Sequence, residues 1–250
     1  MNLNLEGKIG LVTGSSRGIG KSIATTLYEE GCKVVLNSRH NASLKIAAKP
    51  LGGNYFVADV TNPKECGDLV DYIIKKYGKL DILICNVGSG KSVPHGMETN
   101  LEWKKMLDLN FFSATNIIYA AMDSLKKTRG VIVCISSIAG IESTDAPIAY
   151  SIAKTALNSY VKRISKLLAK NSIRVNSVSP GNIFFKGSVW EKKIKDNKSK
   201  VNKMLRNEVA LGRFGTPEEV SNLVIFLASP KSSFVTGSNF IIDGGQLKSG

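Results

Sequence analysis

Seven short apolar runs alternate with longer amphipathic stretches along this chain, and the alternation restricts it to a parallel sheet covered by helices on both faces. The runs cover residues 9–13, 33–37, 55–58, 81–85, 131–135, 173–178 and 239–242, each short enough for a strand buried on both sides. Helical spacing predicts helices over 19–30, 64–77, 99–126, 149–170 and 217–228. The last opens with Thr216-Pro217-Glu218-Glu219, a capping residue followed by proline and acids. No linker or internal repeat interrupts the 250 residues, so the expectation is a single α/β domain over 1–250, a doubly wound parallel sheet of about seven strands in a three-layer sandwich.

Between the first run and the first helix lies Thr13-Gly14-Ser15-Ser16-Arg17-Gly18-Ile19-Gly20. Glycines there let the backbone turn sharply and approach a pyrophosphate, whose charge the helix N-terminus stabilises. The spacing G-x-x-x-G-x-G differs from the G-x-G-x-x-G fingerprint, but the strand-turn-helix setting is the same and points to a Rossmann-type dinucleotide site. Tyr150 and Lys154 stand one helical turn apart within the 149–170 helix, so their side chains share a face. A free phenol titrates near ~10, and a neighbouring ammonium favours its ionised form. The pair can therefore serve as an acid-base couple at a carbonyl or hydroxyl carbon.

With these two motifs come Asp59-Val60, Cys85-Asn86-Val87-Gly88, Asn110, Ser137, Pro180-Gly181 and a closing Asp243-Gly244-Gly245. In this order, over nearly the whole length, the set resembles the short-chain dehydrogenase/reductase family, and within it the branch of 3-oxoacyl-acyl-carrier-protein reductases and sugar or polyol dehydrogenases. The resemblance implies an enzyme, an NAD(P)-dependent oxidoreductase, with Asn110, Ser137, Tyr150 and Lys154 as its catalytic set. Ser137 would hold the substrate oxygen, Lys154 would also grip the nicotinamide ribose, and Asn110 would position a water in a proton relay. It further implies cofactor contacts at Gly14, Ser16, Arg17, Gly18, Ile19, Gly20, Asp59, Val60, Asn86, Val87, Gly88, Tyr150, Lys154, Pro180, Gly181 and Ile183, and a homotetramer. Two positions depart from the family pattern: Val87 replaces a common alanine, and Phe185 replaces a frequent threonine.

Charge decides the cofactor. NAD sites usually place a carboxylate about 20 residues past the glycine turn, where it holds the ribose 2′-hydroxyl and repels a 2′-phosphate. The second run ends here in Asn37-Ser38-Arg39-His40, without an acid, and Arg17 and Arg39 can both face a phosphate. This favours NADP(H), with Ser38 and Arg39 at the phosphate, and leaves NAD(H) as the alternative.

The formal net charge of +14 raises nucleic-acid binding as a competing class. Its densest stretch, residues 191–203, carries no aromatic residues to stack bases, which argues for a solvated, mobile basic segment and no nucleic-acid partner. A cofactor-sensing regulator is the other non-enzymatic reading, and Tyr150 argues against it, since a sensor needs no acid-base tyrosine. The four cysteines form no C-x-x-C pair and only two histidines are present, so no metal is expected. Residues 1–7 lack a signal-peptide layout and no apolar run reaches spanning length, so a cytoplasmic location and no membrane partner are expected.

Substrate choice is expected in the loop 89–96, the segment after Ser137 and the loop 184–207, the last a variable lid. Arg129 suits an acidic acyl-carrier partner with its thioester substrate, although the second basic docking position falls on Asn171, beside Lys170. Lys91 and His95 suit a small polyhydroxylated or anionic sugar.

Overall fold

The computed structural model describes residues 2–248. Its elements in chain order are β1 Ile9–Val12, α1 Gly18–Glu29, β2 Lys33–Ser38, α2 Asn41–Ala48, β3 Tyr55–Val57, α3 Pro63–Tyr77, β4 Ile82–Cys85, α4 Asn100–Leu107, α5 Ser113–Thr128, β5 Val131–Ile135, α6 Ile148–Ala169, β6 Arg174–Pro180, α7 Val189–Glu208, α8 Pro217–Ala228 and β7 Asn239–Ile242. The strands form one sheet in the order β3-β2-β1-β4-β5-β6-β7 with every pairing parallel. Strand order reverses between β1 and β4, the switch point at which doubly wound sheets open a crevice at their carboxyl ends.

The pleat sorts side chains between two cores. Val12, Val34, Leu36, Ile84, Val133 and Ile135 point to the layer of α1, α2 and α8. Their neighbours Leu11, Val35, Leu83, Cys85, Ile132 and Cys134 point to the layer of α3, α5 and α6. Being apolar on both faces, the central strands read as continuous runs, which is how the sequence marks them. The α8 start is a capping box: the Thr216 hydroxyl accepts from the Glu219 N–H, the Glu219 carboxylate accepts from the Thr216 N–H, and Pro217 sits in the first turn.

Three expectations need correction. The helix expected over 99–126 is broken: α4 and α5 are joined by a π-helical turn, Asp108–Phe112. Its extra residue rotates Asn110 inward, where the amide donates to the Ser89 and Met106 carbonyls. The segment 184–207, read as a loop and a mobile basic tract, is mostly the helix α7, interrupted only at Asn197. Val201, Leu205 and Val209 give it a small core of its own with Trp190, Ile194, Met204 and Phe214, so its lysines line the outer side of an amphipathic helix. The short helix α2 has no side-chain cap and was not expected.

Among the described residues, no helix is long and apolar enough to cross a membrane, and no group of three His, Cys, Asp or Glu side chains could hold a metal.

Candidate active site

The turn after β1 is stitched to both neighbouring strands. The Ser15 hydroxyl donates to the Val12 carbonyl at 2.8 Å and accepts from the Asn37 N–H at 3.0 Å, which fixes the turn to β2. On the other side, the Asn86 amide donates to the carbonyls of Thr13 and Gly14 at 3.0 and 3.1 Å, and its N–H donates to the Thr13 hydroxyl at 3.0 Å. This clamp explains Gly20: a Cβ there would stand 2.4 Å from the Asn86 Nδ2 and 2.6 Å from the Gly14 carbonyl oxygen. The first turn of α1 has no side-chain cap and no acidic residue, so its N–H groups near Gly18 and Ile19 are left without a capping side chain, the arrangement that suits an anion.

The two arginines read as phosphate ligands are engaged within the chain. Arg39 pairs with Asp59 at 3.5 Å, and Arg17 donates to the Gly187 carbonyl at 3.3 Å. Both remain exposed enough to exchange these partners for a phosphate. Partial burial pushes the Asp59 carboxyl up, but hydrogen bonds from the Thr61 N–H and hydroxyl, together with the Arg39 guanidinium, outweigh it and hold the group below its usual range. Ser38 donates to the His40 carbonyl, which shapes the end of β2. The Val60 side chain lies in the core beneath, leaving only its backbone at this edge, where its carbonyl accepts from Asn116.

Ser137, Tyr150, Lys154 and Asn110 come together at the ends of β4 and β5. The Tyr150 phenol is hydrogen-bonded to Ser137, and the Lys154 ammonium lies 5.9 Å from the Tyr150 ring centroid. A Cβ added at Gly88 would stand 3.0 Å from the Lys154 Nζ and 2.8 Å from the Asn110 Oδ1, so that glycine marks the floor on which the two meet. Asn110 accepts from the Ser89 N–H and donates to the Ser89 carbonyl, pinning the loop after β4. The loop returns over Tyr150, with a Cβ at Gly90 3.9 Å from its ring.

Burial dominates the electrostatics of this cluster. Lys154 is 3% exposed, donates to the Ile135 carbonyl at 2.8 Å, and has its pKa lowered to about 8 by desolvation. Tyr150 is pushed above its ordinary value, burial outweighing the opposing Ser137 hydrogen bond. The expected lowering of the phenol by the lysine is therefore not seen, the ammonium being directed at the Ile135 carbonyl.

Pro180 and Gly181 end β6 against β7, where the Gly181 N–H donates to the Ile242 carbonyl. Ile183 forms a bridge with Gly215 and sits in the core with 7% exposure, so it reaches the crevice by its backbone. Phe185 was flagged in the sequence only as a departure from the family pattern, and its position is not legible there: the ring lies on Gly18. Sequence reasoning also missed Glu102. Buried at the start of α4, it accepts from the Ser92 hydroxyl at 2.7 Å and pairs with Lys105 at 3.1 Å, which holds the far end of the loop carrying Lys91. A capping pattern at Thr99-x-x-Glu102 was the available signal.

A glycine turn beside an uncapped helix start, one strand from a Ser-Tyr-Lys-Asn cluster, is a complete arrangement for carbonyl chemistry next to a dinucleotide. A family model described as enoyl-(acyl carrier protein) reductase matches residues 14–246. The chain belongs to the short-chain dehydrogenase/reductase family. As a short-chain dehydrogenase/reductase it is an oxidoreductase, and its relatives are similar over their full length. It is 34% identical to the 3-oxoacyl-acyl-carrier-protein reductase FabG of Thermotoga maritima, covering 98% of this chain and 100% of that protein. It is 31% identical to the FabG of Escherichia coli K12, covering 98% and 99%. Among solved structures, L-sorbose reductase from Gluconobacter frateurii, complexed with NADPH and L-sorbose, superposes with a TM-score of 0.93 at 28% identity over 100% of both chains. An NADPH-bound short-chain oxidoreductase of Pseudomonas aeruginosa PAO1 gives 0.91 at 26%, covering 97% and 98%.

Proposed function

We propose that the protein is an NADP(H)-dependent reductase that interconverts a carbonyl and a secondary alcohol, with a 3-oxoacyl thioester as its leading substrate class. The observation that carries this reading is the hydrogen-bonded Ser137–Tyr150 pair over Lys154 and Asn110, beside the cradle that Asn86 ties to the glycine turn. The cradle fits a dinucleotide: Gly14, Ser16, Gly18, Ile19 and Gly20 would receive the pyrophosphate, Arg17, Ser38 and Arg39 the 2′-phosphate, and Asp59 with the Val60 backbone the adenine. Asn86, Val87, Gly88, Lys154, Pro180, Gly181 and Ile183 would border the nicotinamide half. Bound, the dinucleotide would supply the hydride in reduction or take it up in oxidation.

The chain supplies the rest. Ser137 donates a hydrogen bond to the substrate oxygen and holds it beside Tyr150. The Tyr150 phenol gives its proton to that oxygen as the carbon is reduced, and takes one back when an alcohol is oxidised. Lys154, 5.9 Å from the Tyr150 ring centroid, would favour the ionised phenol once its ammonium turns from the Ile135 carbonyl, and Asn110 holds the Ser89 backbone so that the loop excludes water from the reacting face. Segment 184–207 acts as the substrate lid, and the molecule assembles as a homotetramer through α5 and α6.

The thioester reading draws on the FabG relatives. A compact polar substrate, a ketose or an anionic sugar, is favoured by a different observation: the loop whose Gly90 lies against the Tyr150 ring is Ser89-Gly90-Lys91-Ser92, and it carries the exposed Lys91 and, further along, the exposed His95. Fluorescence titration with NADPH and NADH, followed by turnover of a short 3-oxoacyl thioester and of ketoses, tests both. NADPH preference lost in Arg39→Asp, with thioester turnover, supports the leading reading. NADPH binding with ketose turnover alone transfers the assignment to a sugar reductase, and NADH preference refutes the phosphate argument.

A further inference from the structure

The second glycine of a dinucleotide turn lacks a side chain so that the pyrophosphate can lie against the backbone. In this chain that space is filled. A Cβ placed on Gly18 would stand 2.6 Å from both Cε2 and Cζ of Phe185 and 2.9 Å from Cε1, so the edge of the ring rests where the glycine leaves room. The ring is partly buried against the core cluster that includes Ile23 and Val224, with Ile19 beside it.

The segment bearing Phe185 is fastened to the cradle at a second point. Arg17, the residue before Gly18, donates to the Gly187 carbonyl, and the Gly187 N–H donates to the Glu191 carboxylate at 2.7 Å in the first turn of α7. The Ser188 N–H donates to the Phe185 carbonyl at 3.0 Å, so residues 185–188 form one tight turn continuous with α7. The base of the segment stays anchored elsewhere: the Phe184 N–H donates to the Gly215 carbonyl, and the Phe184 ring packs on Phe214. A swing about Phe184 would lift Phe185 and the start of α7 together.

We infer that Phe185 is a gate on the dinucleotide cradle, closed in this structure and latched by the Arg17–Gly187 contact, so that opening precedes cofactor binding. The inference rests on the reading that the cradle takes a dinucleotide, whichever of the two is preferred. When only the open fraction can bind, apparent affinity is lowered by that fraction. Removing the ring removes the penalty. Phe185 contributes no group to the reaction, so its effect lies in cofactor affinity and entry rate.

The test is stopped-flow binding in a Trp103→Phe background, where Trp190, five residues beyond Phe185 and 5.1 Å from the Phe214 ring, alone reports the start of α7. Equilibrium affinity is read in parallel from nicotinamide fluorescence. In the parent protein the observed rate should level off with rising nucleotide, at the same plateau for NADPH and NADH. Phe185→Ala should bind about five-fold tighter or better and lose the plateau, with Phe185→Leu between the two. Unchanged or weaker binding by both variants overturns the gate while leaving the dinucleotide site standing. Plateaus that differ between the nucleotides overturn the order of opening before binding. No binding of either nucleotide to parent or variants overturns the dinucleotide reading and the gate with it.

Discussion

Lys154 carries its charge in a place that disfavours it. With its pKa lowered from 10.5 to about 8 by burial, the folded protein holds the proton less tightly than the unfolded chain does. Its contribution to stability is therefore complete above the unfolded pKa, 10.5, and is lost as pH falls through 8. Urea unfolding of wild type and Lys154→Met across this window should show wild type gaining on the variant by on the order of 3 kcal/mol as pH rises; parallel curves would show that the lysine is solvated. Tyr150→Phe removes the proton donor and leaves the ring, so nicotinamide-fluorescence affinity should persist while turnover falls about 10²–10⁴-fold. Undiminished turnover by the folded variant would refute the assigned role. Gly20→Ala should abolish dinucleotide binding in the same titration, because its methyl would displace the Asn86 amide that ties β1 to β4.

The helices show where sequence pattern is a good guide and where it fails. α3, α6 and α8 fall within a residue of their expected bounds because an apolar face repeats through each, and because Thr216-Pro217 announces the start of α8. The π turn at Asp108–Phe112 is invisible to a 3.6-residue pattern, since one inserted residue shifts a side chain without altering composition. α7 is hidden by its lysines, which mask an apolar stripe of Trp190, Ile194, Val201 and Leu205. That stripe meets a cluster separate from the two main cores, so α7 should loosen independently of them. Phe214→Ala removes ring pairs with Phe184 and Trp190, each worth about 0.5–1.5 kcal/mol. Trypsin should then cut near Lys192–Lys200 while the Tm hardly moves. A Tm lowered in step with cleavage would show that α7 unfolds with the whole.

At the scale of the molecule, seven strands and their parallel sense were legible because the central runs are apolar on both faces, and the candidate site was legible from the Tyr150-x-x-x-Lys154 spacing together with the order of the motifs, although its members come from different elements: Ser137 after β5, Tyr150 and Lys154 in α6, and Asn110 in the π turn. The gate was not legible, since nothing in the spacing of Gly18 and Phe185 along the chain announces that they touch. The helical layer of α5 and α6 leaves Tyr119 83% exposed, Ile152 49% and Phe112 44%, an apolar set that assembly of copies would cover. Sedimentation should find a species near four times the monomer mass, reduced by Tyr119→Glu with Ile152→Glu; a wild-type monomer would remove the tetramer from the proposal.

The interior position of β1, between β2 and β4, has a consequence for synthesis. Its partner β2, and β3 on the far side of β2, follow within the first sixty residues, but its other edge waits for β4, and the Ile9 N–H donates to the carboxylate of Asp81, 72 positions later. A chain emerging from the ribosome must therefore carry a half-sheet with one bare, apolar, hydrogen-bond-hungry edge until β4 appears. Nascent chains halted between β3 and β4 should be the stage at which a chaperone holds this protein, and release should coincide with the arrival of Ile82–Cys85.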